Sequence, residues 1–442
     1  MLWVGSIALI VVLLILFKRP LFRNEICFFH PFSDGNGGGE RVLWTMVATI
    51  HHRYPDTTVY IYSRPGINKH ALVEIVKRQF DIEIAAERLV LVPLYTYKLL
   101  VPWYPFLTLL LQSLGSCVVA LEAVLRYRPY LVIESVGFAF TYPVFRLVRA
   151  RVIAYVHYPT ISADMLDGVL TRSVSINNHR WIANTCVLTV LKSWYYRVFA
   201  GMYGVVGSVA DLVLVNSSWT QGHINAIWNI PDKTVLLFPP ADTQSLSVLP
   251  LVNRSQTILS VGQFRPEKNH MLQLDILHKL VENGRNVKLV MMGNSSVKHQ
   301  HILISLRSAA VNLGVSNFLE IIENASCQEV KEQFAQSSIG LHTMSHEHFG
   351  ICIIEYMAAG LIPIAHNSGG PKCDIVTNNT GFLAITAQEY ADRVEQVLDM
   401  DRKGLLEMRG MARERSRAFS EEAFQDLFLD CLADYIGPHS HI

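Results

Sequence analysis

Short apolar runs, each broken off by glycine, proline or polar residues, constrain this chain more than any other feature. Tyr130-Leu131-Val132-Ile133-Glu134 and Val152-Ile153-Ala154-Tyr155-Val156 are the clearest. A strand wetted on one face alternates apolar and polar residues, whereas one covered by helices on both faces is apolar throughout. These runs therefore predict buried strands of a parallel sheet. Further strands are expected at Ile26 to Phe29, Val59 to Tyr62, Leu89 to Val92 and Leu212 to Val215. A second set covers Ile258 to Val261, Val287 to Gly293, Phe318 to Ile322, Ile339 to His342 and Ile362 to Ala365. At 442 residues the chain has room for two domains, each with its own core. Val235 to Phe238, stopped by Pro239-Pro240, closes the first, and the linker lies around Ala241 to Asn253.

Parallel sheets bind ligands beyond the carboxyl ends of their strands, so the loops that follow each run are the places to seek chemistry. After Phe29 comes His30-Pro31-Phe32-Ser33-Asp34-Gly35-Asn36-Gly37-Gly38-Gly39-Glu40, and a helix begins near Val42. Glycines at a helix start let backbone N–H groups approach a phosphate. The loop is not a dinucleotide fingerprint: counted from Gly35, the last required glycine falls on Glu40, so an NAD site is not expected. After Val156 comes His157, and further on Asp164, which is either a ligand contact or a helix cap. In the second half, Gly262-Gln263-Phe264-Arg265-Pro266-Glu267-Lys268 places two cations behind a strand. The fork of Arg265 and the point charge of Lys268 both suit a pyrophosphate.

The densest stretch is His346-Glu347-His348-Phe349-Gly350-Ile351-Cys352-Ile353-Ile354-Glu355-Tyr356-Met357-Ala358-Ala359-Gly360. Ile351, Ile354 and Met357 have helical spacing, and Gly360 followed by Pro363 stops the run. Glu347 is expected in the loop before the helix, Gly350 at its start, and Glu355 about two turns further on. A bare helix start favours an anion, and flanking carboxylates accept hydrogen bonds from sugar hydroxyls. The pattern suits a nucleotide sugar; from spacing alone an ordinary capped helix is the alternative.

Glu347, Phe349-Gly350, Glu355, Ala358-Ala359-Gly360 and Asn367-Ser368-Gly369-Gly370 resemble the donor-site signature of the retaining family-4 glycosyltransferases. The glycine loop and the His157 segment resemble, within them, the dolichol-pathway α-1,2-mannosyltransferases that extend the trimannosyl core lipid. The resemblance covers nearly the whole chain. It implies the α/β fold called GT-B, two Rossmann-like domains facing across a cleft. It implies an acceptor domain over 24–240, a donor domain over 254–415, and a closing helix over 416–442 that packs back on the first domain.

The same resemblance implies the donor GDP-mannose and a dolichol-pyrophosphate-linked oligosaccharide as acceptor. Two α-1,2-linked mannoses would be added in succession, with retention of configuration, at the cytosolic face of the endoplasmic reticulum membrane. Other mannosyltransferases of the pathway are candidate partners. His157, Lys268 and Glu347 would be catalytic. Gly37, Gly38, Gly39, Arg265, Lys268, Glu347, Phe349, Gly350 and Glu355 would bind the donor, and Asp164 the acceptor. Many family members carry arginine directly after the glycine where this chain has Gln263. The single Asp-x-Asp, Asp399-Met400-Asp401, reads as a solvated helix face, so no metal and no cofactor are expected. The open alternatives are another family-4 enzyme with a different donor or lipid acceptor, or a nucleotide-sugar-binding scaffold without turnover.

Composition limits the rest. Lys plus Arg (38) and Asp plus Glu (37) cancel, so no nucleic-acid partner is expected. Seven scattered cysteines suit a reducing compartment. Leu2 to Phe17 is apolar and is followed by Lys18, Arg19 and Arg23. This predicts a signal anchor over 1–19 with the remainder cytosolic, rather than a cleaved signal peptide. Sequons begin at Asn216, Asn253, Asn294, Asn324 and Asn378, and a glycan at Asn294 would block the expected cleft; a cytosolic chain avoids it. Two apolar, aromatic stretches, Leu99 to Leu125 and Trp181 to Gly204, are either core helices or surfaces that dip into the membrane. Phe424, Leu427, Phe428, Cys431, Leu432 and Tyr435 form an amphipathic stripe near the end.

Overall fold

All paired strands among the described residues run parallel to their neighbours. The computed structural model describes residues 25–35, 37–161, 186–295 and 299–436. The expected anchor over 1–19 and Asp164 lie outside them.

The chain forms two compact units. The first runs through Asn216, takes in Thr220–Leu237 and is completed by the residues from Gln425 on; the second comprises Ser217–Trp219 and Phe238–Phe424. The sheet of the first unit is built from β1 (Glu25–Phe29), β2 (Thr58–Ser63), β3 (Leu89–Pro93), β4 (Leu131–Glu134), β5 (Arg151–Val156), β6 (Leu212–Val215) and β7 (Thr234–Leu236), in the order β3-β2-β1-β4-β5-β6-β7. The second sheet holds β8 (Ser255–Val261), β9 (Lys288–Gly293), β10 (Leu319–Glu323), β11 (Ser337–His342), β12 (Ile362–His366) and β13 (Phe382–Ala384), in the order β10-β9-β8-β11-β12-β13. Both orders reverse direction once, between β1 and β4 and between β8 and β11. Such a switch point opens a crevice at the carboxyl ends of its two strands. The glycine loop follows β1, the Lys268 loop follows β8 and the Glu347 loop follows β11.

Continuous apolar strands bury themselves as expected. Ile26 to Phe29 and Leu131 to Ile133 are at most 1% exposed, and helices close over both faces of the sheet. Helix α1 (Gly38–Arg53) buries Val42, Leu43, Trp44, Met46 and Val47. Helix α2 (Thr108–Arg126) divides its apolar residues between two faces. Ser113, Gly115, Ser116, Val119, Ala120, Ala123 and Val124 face the core. Leu111, Leu114, Val118, Leu121 and Leu125 are between 37 and 50% exposed. Helix α3 (Cys186–Gly207) likewise buries Phe199 and Tyr203 and exposes Val190, Leu191, Trp194, Val198 and Val205. The Leu110 N–H donates to the Tyr195 hydroxyl at 3.1 Å, so α2 and α3 adjoin.

Two expectations are corrected. Asp399 and Asp401 are solvated as expected, but they lie in the turn between α6 (Ala387–Leu398) and α7 (Arg402–Ser416) rather than on a helix face. Asp399 takes a two-pronged bond from Arg285 at 2.7 and 2.6 Å, and Asp401 caps α7 by accepting from Gly404 N–H at 2.9 Å. In the last helix, α8 (Glu421–Ala433), the buried stripe is the narrower set Phe424, Phe428 and Leu432, and Leu427 is 37% exposed. A spacing of four follows one helical row, which Leu427 leaves.

Candidate active site

In the first unit the glycine loop is held by its own glutamate. Gly37 N–H donates to Glu40 at 2.8 Å, and Glu40 is the third residue of α1, so the carboxylate half of a capping box is present, Gly37 having no side chain to supply the other. A Cβ on Gly35 would stand 2.7 Å from the Glu40 carboxyl, and one on Gly37 2.9 Å from it. A side chain at 35 or 37 would push against the turned-in carboxylate, which would have to move aside. The His30 ring stands 3.7 Å from Glu40 and bonds Ser135, beyond β4, at 2.9 Å. Burial alone would raise the Glu40 carboxyl, but His30 and the Gly37 amide outweigh it and lower the pKa. Gly38 is exposed, and Gly39 faces the His157 ring, whose Nε2 would be 3.6 Å from an added Cβ. The structure thereby brings Gly39 and His157 together. His157 leaves the end of β5 with its ring against Tyr155 and its carbonyl accepting from Asn216 at 2.8 Å.

Sequence reasoning missed Glu134. It ends β4 with no exposure and accepts from Val136 and Gly137 N–H and from the Tyr142 hydroxyl. Burial raises its pKa, and the amide bonds partly offset this. Its role is to shape the loop after β4; a carboxylate closing an apolar run was the available signal.

In the second unit the expected residues converge. Lys268, at the end of a single tight turn after β8, reaches Glu347 Oε2 at 2.6 Å. His342 Nε2 meets the same oxygen at 3.1 Å, and Glu347 Oε1 accepts from His348 N–H at 3.2 Å. Burial would raise the Glu347 pKa, but the His342 hydrogen bond and the Lys268 charge hold it well below the usual carboxylate range. Burial would lower Lys268, and Glu347 more than reverses that. His342 is pushed down by burial, only partly offset by Glu347, and a neutral ring in this position meets the carboxylate with its proton on Nε2.

Gly350 is the N-cap of α5 (Ile351–Ala359), with φ of 108° and no side-chain cap. A side chain is strained there, and the first amides of α5 have no capping side chain. The loop is fixed from behind: Gly370 N–H donates to the Glu347 carbonyl at 2.8 Å, and a Cβ on Gly369 would stand 2.2 Å from that oxygen. Glu355 lies half-buried in the second turn of α5.

Two further residues expected at the donor have protein partners of their own. The Phe349 ring, 3% exposed, packs between Phe238 and Phe419, so only its backbone is available to a ligand. Arg265 is exposed and lies 3.8 Å from Glu267, and its carbonyl accepts from the Lys268 N–H at 3.1 Å. Among the described residues no three His, Cys, Asp or Glu side chains are grouped so as to hold a metal ion.

Residues 23–228 match the family model described as ALG11 mannosyltransferase N-terminus, and residues 243–419 match that described as Glycosyl transferases group 1. The chain is 40% identical over 428 residues to a mouse and a human protein, covering 93% of this chain and 87% of each relative. It is 38% identical over 438 residues to a Dictyostelium discoideum protein, covering 95% of this chain and 86% of that one. All three carry the name GDP-Man:Man(3)GlcNAc(2)-PP-Dol alpha-1,2-mannosyltransferase. Among solved structures, HepE of Anabaena with UDP-glucose superposes with a TM-score of 0.65 at 15% identity, covering 93% of this chain and 99% of that one. Sucrose-phosphate synthase of Thermosynechococcus elongatus gives 0.65 at 15%, covering 92% and 97%. At such identities these two show the fold: GT-B, with two Rossmann-like parallel-sheet domains.

Proposed function

Since this chain belongs to the GDP-Man:Man(3)GlcNAc(2)-PP-Dol alpha-1,2-mannosyltransferase family, we propose that it transfers mannose from GDP-mannose to a dolichol-pyrophosphate-linked trimannosyl-chitobiose. Two α-1,2 bonds form in succession, each with retention. The observation that carries the reading is the uncapped start of α5 beside the Lys268–Glu347 pair.

The donor diphosphate lies against the first amides of α5 and the Lys268 ammonium, which together take up the charge that develops as the sugar leaves. Glu347, ionised through the neutral range, accepts from the mannose hydroxyls, and Glu355 from the ribose. His157 stands beside the transferred sugar, and Asp164 contacts the acceptor. The bond from the anomeric carbon to the phosphate oxygen breaks as the bond to the acceptor hydroxyl oxygen forms. The acceptor proton passes to the departing phosphate. The residues are positioners and charge stabilisers, not nucleophiles, and the step needs no metal.

The acceptor is a lipid, and the exposed apolar face of α2 suits contact with a membrane. Trp103 and Phe106, 64 and 78% exposed, precede that face. Helix α2 has the length and composition of a spanning helix, but one face belongs to the core, so it would lie in the interface rather than cross. We place the enzyme on the cytosolic face of the endoplasmic reticulum membrane, anchored by residues 1–19, where pathway mannosyltransferases are candidate neighbours. A donor screen tests the reading: GDP-mannose, UDP-glucose and UDP-N-acetylglucosamine are offered with the trimannosyl lipid. Transfer from GDP-mannose supports it, and preference for a UDP sugar replaces it.

A further inference from the structure

Glu347 has two partners on one oxygen, and they differ in mobility. Lys268 carries its ammonium on a flexible stem at the end of one tight turn. His342 is the last residue of a central strand, is 4% exposed, and has its carbonyl held by the Tyr390 hydroxyl at 2.9 Å. The lysine pairs with the carboxylate three residues before the uncapped helix start, and a diphosphate arriving there draws its charge away from Glu347. The histidine cannot follow. Its Nδ1 is buried without a hydrogen-bond partner, which favours a neutral ring and leaves the Nε2–H for Glu347.

We propose that His342 is a positioning residue for donor transfer. It holds Glu347 in place while Lys268 turns from that carboxylate to the leaving diphosphate. The proposal rests on the reaction given above. It assigns Lys268 to the diphosphate, Glu347 to the sugar, and His342 to keeping the second independent of the first. A neutral donor fits this task, because a second fixed cation would compete with Lys268 for the carboxylate charge.

The test uses the full chain in detergent, with two binding measurements and one rate. His342→Leu removes the N–H. His342→Gln keeps an N–H donor at similar reach. For His342→Leu, GDP affinity is expected to stay within about 3-fold of wild type, while the advantage of GDP-mannose over GDP and the kcat for transfer both fall about 10- to 100-fold. That range corresponds to losing one hydrogen bond to a charged group. His342→Gln is expected to restore both to within about 5-fold. A histidine that served folding alone would weaken GDP and GDP-mannose together, and that result overturns the proposal. So does a His342→Leu enzyme that matches wild type, or a His342→Gln enzyme as impaired as His342→Leu. Absence of transfer by the wild type overturns the underlying reaction as well, which keeps the two failures distinct.

Discussion

Each unit has a glycine-led helix start after a switch-point strand, and the two starts are finished in opposite ways. At α1 Glu40 turns back, takes the amide of the N-cap residue Gly37 and occupies the inside of the loop. At α5 the cap position is Gly350 in a left-handed conformation, no side chain returns to the amides, and the nearby carboxylate faces Lys268 and His342. A glycine loop before a helix is therefore not in itself a phosphate cradle. What distinguishes the two is where the nearest carboxylate points. An open helix start beside a cation suits an anionic ligand, and one whose loop is filled by its own carboxylate suits it less.

Changes that probe this contrast are expected to differ in kind. The largest effect belongs to Glu347→Ala, which should lower transfer about 10²- to 10³-fold and, by leaving half-buried Lys268 without its carboxylate, also lower the thermal midpoint; steady-state rates and thermal melts check it. If Glu40→Ala produced an equal loss of rate, the contrast would break.

Acidification comes next. His270, at the start of α4 (His270–Glu282), is held by burial and by the Lys268 charge at about 4, below its ordinary 6.5. A depressed histidine pKa means that the unfolded chain binds the proton first. Stability therefore falls as pH drops from about 6.5 to about 4, by at most about 3 kcal/mol. Thermal melts across that range should show the decline, and His270→Leu should flatten it. Glu347 behaves differently. With its pKa depressed in the fold, its contribution is fully present above the unfolded value of about 4.3 and is lost only as pH falls towards the folded one. Lys268, raised, keeps its contribution below the unfolded value of about 10.4. The pair thus persists through neutrality.

Gly350→Ala follows, since a side chain at φ of 108° costs about 1–3 kcal/mol. The thermal midpoint and GDP-mannose affinity should fall together. The smallest effect is that of Glu40→Ala, which removes the carboxylate's bond to the Gly37 amide, worth about 1 kcal/mol. It should lower the melting temperature of the first unit by a few degrees while leaving transfer within about 5-fold.

Much of this was legible in the sequence. The strands announced themselves because parallel-sheet strands buried on both faces have no polar residues to interrupt them, and Lys268 and Glu347 stood out because charges after such strands have few other uses. The side chains that finish the site were not legible. His342 reads as the last residue of an apolar run, and nothing local shows that the backbone returns Glu347 to it five residues later. Phe349 looked like part of a ligand motif because the motif contains it, yet its ring completes a core. Gly37 reads as an open backbone amide, and nothing in the spacing shows that Glu40 turns back to bond it.

The central claim is metal-free mannosyl transfer at the open helix start. The most direct measurement supplies labelled GDP-mannose and a synthetic trimannosyl core lipid to the purified chain, with and without a chelator. The account predicts two added mannoses, both α-1,2-linked, at equal rates in the two conditions. Transfer abolished by the chelator, or none at all from GDP-mannose while the donor still binds, would contradict it.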